Sequence, residues 1–230
     1  LQGGLEAADS FLRSAEEAVV MLNKMVLGEA GENLEEIFQA YRSSHGDIEN
    51  VYYGTKEGEF YVDPFPPGGL PPGFDATTRP WYTQAVQAGK IIWTDPYVDT
   101  GSGELVVTAA MPVYQGSGKE PLGVVGIDVT LQRLADLISS RKVGTKGYLV
   151  LMDDNGQVLA HPNADIIGQS MLGTEVANRV LGVSYGEFDY EESSKMFAAF
   201  SLVERTGWSL GALGSYEEAD EYVQRSLRRL

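Results

Sequence analysis

Arg79-Pro80-Trp81-Tyr82 is the stretch whose residue types and spacing most directly suggest chemistry. Proline favours the first position of a helix and pushes the residue before it into extended geometry. Arg79 would therefore stand beside a helix N-terminus, where free backbone N–H groups already favour an anion. Its guanidinium adds two parallel donors of the kind a carboxylate accepts. Trp81 and Tyr82 follow with ring faces and one N–H and one O–H donor. Donors and aromatic walls converging on one point describe a pocket for a small carboxylate. Taken alone, the same residues also suit a buried aromatic pair beside a surface arginine, and the motif leaves both readings open.

A second cluster follows in Trp93-Thr94-Asp95-Pro96-Tyr97-Val98-Asp99, and a third in Gly126-Ile127-Asp128-Val129-Thr130. Asp128 lies in a strongly apolar strand pattern, where an unpaired carboxylate is costly. Either a backbone network satisfies it or it meets a cation such as a ligand ammonium. The corresponding stretch later in the chain, Leu210-Gly211-Ala212-Leu213, has no carboxylate, so a polar ligand site is expected only in the first half. Asp95, Asp99, Glu104 and Asp128 could supply the acid pair of a glycosidase, but nothing in the sequence fixes two of them at a working separation. Hydrolase, zincin and phosphate-loop motifs are missing. His45 and His161 lie far apart, and Asp153-Asp154-Asn155-Gly156 has hairpin-turn spacing that a calcium loop does not share. A binding protein is therefore expected, with no catalytic residues, no metal and no cofactor.

The 230 residues carry 33 acidic and 17 basic side chains, a formal charge of −16. Such a charge repels phosphate backbones and anionic lipid surfaces, which argues against nucleic acid as a partner. At 43% hydrophobic the chain can build a sizeable core. Without cysteine there is no disulfide and no thiolate site. No apolar run approaches the roughly 20 residues of a membrane span. The chain starts at Leu1 and ends inside an amphipathic pattern, so it reads as a piece of something longer.

These residues need elements to position them. Leu5, Ala8, Leu12, Ala15, Val19, Leu22 and Val26 step by threes and fours, which predicts a long helix with a heptad seam. That seam could pack on its own domain, pair with a second copy, or both. Gly28 and Gly31 punctuate the pattern, and Leu34 to Tyr41 continues it. Tyr216, Ala219, Val223, Leu227 and Leu230 predict a closing helix ending in Arg225, Arg228 and Arg229. Between the helices the chain repeats itself. Strand, turn, strand, proline occurs at 51–64 and again at 148–162, with Gly58 and Pro64 matching Gly156 and Pro162 at one offset of 98 residues. Further strands are expected at 105–114, 122–129, 194–203 and 208–213. The fold class is α+β: two related antiparallel-sheet modules with flanking helices. The predicted segments are a helical 1–44, a first module 45–135, a second module 136–214 and an exit helix 215–230. The Pro- and Gly-rich run 63–74 cannot be helix or inner strand, and it leads straight into Arg79.

The ordered set Arg79-Pro80-Trp81-Tyr82, Trp93 to Asp99, Gly123 to Thr130, Lys146 to Asp153 and Ala160-His161-Pro162 resembles the double Cache family over nearly the whole chain. That resemblance implies a long N-terminal helix carrying two PAS-like modules, one membrane-distal and one membrane-proximal. It implies the extracytoplasmic sensing part of a transmembrane chemoreceptor or histidine kinase, flanked by membrane helices and dimeric in the intact receptor. Arg79, Trp81, Tyr82 and Asp128 match the amino-acid-binding group of the family, and Tyr97 and Asp99 fall where members often add contacts. By resemblance Arg79 and Trp81 would hold an α-carboxylate, and Asp128 with Asp99 an α-ammonium. Phe74 stands where that group has a tyrosine, so one polar contact is missing. The alternatives are a ligand-free dimerisation module and a sensor of a small organic acid or amine.

Overall fold

The computed structural model describes residues 1–29, 33–141, 143, 147–191 and 195–216. They divide into two compact units, one formed by residues 12–130 and the other by 1–11 with the chain from 131 onward. Of the two glycines expected to punctuate the first helix, Gly28 lies within it, while Gly31 and the exit helix beyond residue 216 lie outside the described residues.

Helix α1 spans Gln2–Glu29, uninterrupted by proline and rich in Ala and Glu. Its seam turns inward. Ala8, Leu12, Ala15, Val19, Leu22 and Val26 are all buried within the monomer. Val19, Leu22 and Val26 share one core with Phe38, Val51 and Ile127. Two polar contacts add direction: Asn23 Nδ2 donates to the Pro112 carbonyl at 3.1 Å, and Trp93 Nε1 donates to Glu16 at 3.1 Å. The seam therefore packs on the protein itself, the first of the readings left open by the sequence. Helix α2, Leu34–Ser44, lies in the same unit, and its Arg42 forms an ion pair with Asp63.

The first unit's sheet comprises β1 (Asn50–Thr55), β2 (Phe60–Asp63), β3 (Ile92–Trp93), β4 (Tyr97–Val98), β5 (Leu105–Val113) and β6 (Gly123–Thr130). Its order is β2-β1-β6-β5-β3, with β4 also on β5, and every pairing is antiparallel. Central β1 and β6 are buried along their full length, as the near-continuous apolar runs require. Helix α3, Pro80–Ala88, packs on β5 and β6.

The second unit repeats the plan. Helix α4 (Leu131–Ser139) buries Leu131, Leu134 and Ile138. Strands β7 (Tyr148–Met152) and β8 (Val158–Ala160), helix α5 (Glu175–Val180), and strands β9 (Tyr185–Glu191), β10 (Lys195–Val203) and β11 (Trp208–Ser215) follow. The sheet order β8-β7-β11-β10-β9 reproduces the first in chain order. Gly58 and Gly156 occupy their hairpin turns with φ of 94° and 77°, the left-handed region that glycine enters freely. Strand β9 was not foreseen: it is an edge strand whose Glu187, Asp189 and Glu191 hide the apolar signal of the opposite face. The units differ most after the hairpin. Residues 64–75 separate β2 from the next 3₁₀ turn, whereas only 161–163 intervene after β8.

Candidate functional site

Antiparallel register sets the floor of the site. Asn50 on β1 and Thr108 on β5 both pair with Asp128 on β6, so the three side chains stand in one row across the sheet. Tyr52, two residues on and on the same face, pairs with Gly126. A Cβ at Gly126 would come 2.6 Å from the Tyr52 ring, so glycine there lets the ring lie across β6 and bring its hydroxyl to Asp128.

Asp128 is 1% exposed. Its Oδ1 accepts from Thr108 Oγ1 at 2.5 Å, Tyr52 Oη at 2.6 Å and Tyr97 Oη at 3.3 Å, and its Oδ2 accepts from Asn50 Nδ2 at 3.0 Å. Loss of hydration pushes this carboxyl up to about 6, against the pull of the Asn50, Thr108 and Tyr52 hydrogen bonds and with a smaller push from Asp99. The carboxylate is thus satisfied by side chains, not by the backbone network considered as one alternative. Oδ1 is crowded, while Oδ2 carries a single donor and retains room for another. The Tyr52 and Tyr97 hydroxyls are raised by burial and by the neighbouring carboxylate, so both remain protonated donors.

Above this floor lies a cavity of about 210 Å³. Phe74, Arg79, Trp81, Tyr97, Asp99 and Asp128 line it, six of the seven residues singled out from sequence. Tyr82 does not. It is buried beside Trp81, ring centroids 5.6 Å apart, because consecutive helical residues point about 100° away from each other. Asn50, Tyr52, Glu49 and Ser102 join the lining without having been foreseen.

Arg79 is the N-cap of α3, with φ −76° and ψ 150°, and Pro80 opens the helix. Among the described residues its guanidinium has neither an ion-pair nor a hydrogen-bond partner, although it is partly buried at the cavity wall. Trp81 packs on Tyr52 at 4.7 Å between centroids, and its indole N–H has no partner among the described residues. Asp99 is half committed: its Oδ2 accepts from the Gly101 and Ser102 backbone N–H groups and the Ser102 hydroxyl, which fixes the β4–β5 turn. Free donors at one wall and a buried acceptor at the floor make the cavity bipolar, suited to a small molecule that carries both charges.

Outside this cavity the other candidates do structural work. Asp153 Oδ1 accepts from the Asn155 and Gln157 N–H groups in the β7–β8 turn, and His161 Nδ1 accepts from the Asn163 N–H. Among the described residues no three His, Asp or Glu side chains are grouped to hold a metal ion.

The profile of the Cache domain matches residues 2–223. This chain belongs to the Cache family. Its architecture, a long N-terminal helix and two antiparallel sheets, is the double Cache fold. The methyl-accepting chemotaxis proteins McpA and McpB of Bacillus subtilis are 31% and 36% identical to the Cache chain over 84% and 77% of its length. The aligned parts cover 28% and 26% of those relatives, so the chain spans under a third of their length. Among solved structures, the ligand-binding domain of the Pseudomonas aeruginosa PAO1 chemoreceptor PctB in complex with L-Arg is 26% identical, with a TM-score of 0.78 over 95% of this chain and 93% of that one. The ligand-binding domain of the Pseudomonas fluorescens chemoreceptor CtaA with L-isoleucine superposes with a TM-score of 0.79 over 96% and 91% at 20% identity, a likeness of fold. The family is a ligand-binding one, not a catalytic one.

Proposed function

We propose that this Cache chain is the extracytoplasmic sensing region of a transmembrane chemoreceptor and that its first unit binds a small L-amino acid. The observation that carries the reading is an Arg79 guanidinium without a partner among the described residues, facing the same cavity as the buried Asp128 carboxylate. The ligand's α-carboxylate lies on Arg79 and the Trp81 N–H. Its α-ammonium lies at Asp128 Oδ2, with Tyr97 and the uncommitted Asp99 oxygen as further acceptors. The role is binding and signalling, not catalysis. The module at 45–135 is the membrane-distal one and 136–214 the proximal one. Among the described residues no helix is long and apolar enough to cross a membrane. The names of the chemotaxis relatives and of the PctB complex support this assignment.

A thermal-shift screen of amino acids, amines and organic acids tests it. An amino acid at about 100 times its Kd should stabilise the chain by roughly 2.7 kcal/mol. Replacing Arg79 by Ala should cost about 2–5 kcal/mol of binding, because it leaves the ligand carboxylate unpaired. Full affinity in that variant would move the site elsewhere.

A further inference from the structure

One wall of the cavity is formed by residues 64–74, a segment between β2 and the next 3₁₀ turn that the second unit lacks. This strap consists of two consecutive Pro-Pro-Gly turns. The Gly69 N–H donates to the Pro66 carbonyl at 2.8 Å, and the Phe74 N–H donates to the Pro71 carbonyl at 3.0 Å. Gly73 sits at φ 76°, the left-handed position that the second turn requires. Prolines fix φ in advance, so the strap loses little freedom on folding and presents a preformed surface. Its ends are tied down. Asp63 pairs with Arg42 before it, and Asp75 Oδ1 accepts from the Thr77 N–H after it. Its first turn reaches the β4–β5 loop, where a Cβ on Gly101 would lie 3.1 Å from the Pro66 ring.

What the strap offers the cavity is apolar. Pro64, Pro66, Pro67 and Leu70 line it, and Val62 of β2 continues the same wall. Leu70 stands between the two turns, the one long aliphatic side chain in the strap. Of the charged cavity residues, Arg79 follows the strap, while Glu49, Asp99 and Asp128 come from other segments. The strap itself contributes no side-chain donor or acceptor. A polar ligand side chain turned toward it would lose water without replacement, which is expensive, whereas an apolar one gains by burial.

From this we infer that the strap selects the ligand's side chain and that the preferred class is the aliphatic L-amino acids, with Leu70 as the principal specificity residue. The inference rests on the amino-acid reading above and adds to it the identity of the third group on the ligand's α-carbon.

Isothermal titration of the chain with L-leucine, L-asparagine, L-alanine and 4-methylpentanoate tests it. Leucine and asparagine have similar shape and differ in polarity. Leucine should bind at least tenfold more tightly than asparagine, the ratio expected for burying a branched side chain in an apolar site. Replacing Leu70 by Asn should lower leucine affinity several-fold more than alanine affinity. Equal or tighter binding of asparagine would overturn the inference, and so would an equal loss for leucine and alanine in the Leu70→Asn variant. The underlying reading fails differently. If 4-methylpentanoate, which lacks the ammonium, binds as tightly as leucine, or if none of the three amino acids binds, then the amino-acid site itself is wrong.

Discussion

Asp128 is the residue on which the chemistry turns, and its environment gives it a measurable signature. Burial holds its folded-state value near 6, above the ordinary carboxylate range. A group raised in this way contributes stability to the unliganded protein at low pH, and that contribution is lost as pH rises through about 6. The penalty at neutral pH is on the order of 3 kcal/mol. A ligand ammonium offsets it, because it favours the charged form. Amino-acid affinity should therefore be full above pH 7 and should fall about tenfold by pH 5, where most Asp128 is protonated. The ammonium and carboxylate of the ligand do not titrate in that window. Replacing Tyr52 by Phe removes one donor to Oδ1, so the pH at which affinity is lost should move upward. Titrations between pH 5 and 8 on both proteins check this, and a flat profile in the parent chain would remove Asp128 from the site. The sequence made Asp128 conspicuous because a carboxylate interrupts an apolar strand. It did not make Asn50, Tyr52 or Thr108 conspicuous. Their approach to Asp128 depends on the register of three strands, and register is set by pairing between segments far apart in the chain.

At the scale of elements, α1 shows what periodicity can and cannot say. Spacing by threes and fours identified the helix and its apolar face, but an apolar face is equally suited to a partner helix and to the protein's own sheet. The structure uses it on the sheet. Leu22 is fully buried while the adjacent Met21 is 38% exposed. Leu22→Ala should therefore cost about 2–5 kcal/mol of stability, and Met21→Ala no more than about 0.5 kcal/mol. Urea unfolding of both variants at low protein concentration tests this. A Leu22→Ala penalty that appears only at concentrations where the chain dimerises would return the seam to an intermolecular role. The start of helix α3 was legible because Pro80 marks it, and Gly89, at φ 64°, closes the helix in the structure. Tyr82 was misplaced for a geometric reason: adjacency in sequence suggested adjacency in the site, and a helix does not allow that for consecutive residues. The strap was recognised as irregular, but no pattern in it could reveal which side chains face a cavity.

For the whole molecule, the repeat at a constant offset gave the two-module plan, and the common sheet order of the two units is its structural counterpart. The units have diverged where function would differ. The first keeps a carboxylate in its central strand and an insertion of prolines over the cavity, and the second has neither. The proposed function places a zwitterionic amino acid in the first unit with its carboxylate on Arg79 and its ammonium on Asp128. A crystal structure of the chain with the tightest-binding amino acid measures this directly. The account predicts ligand carboxylate oxygens within about 3.2 Å of the Arg79 guanidinium and the ligand nitrogen within similar reach of Asp128 Oδ2. A ligand seated in the second unit, or held in the first with its nitrogen away from Asp128, would contradict it.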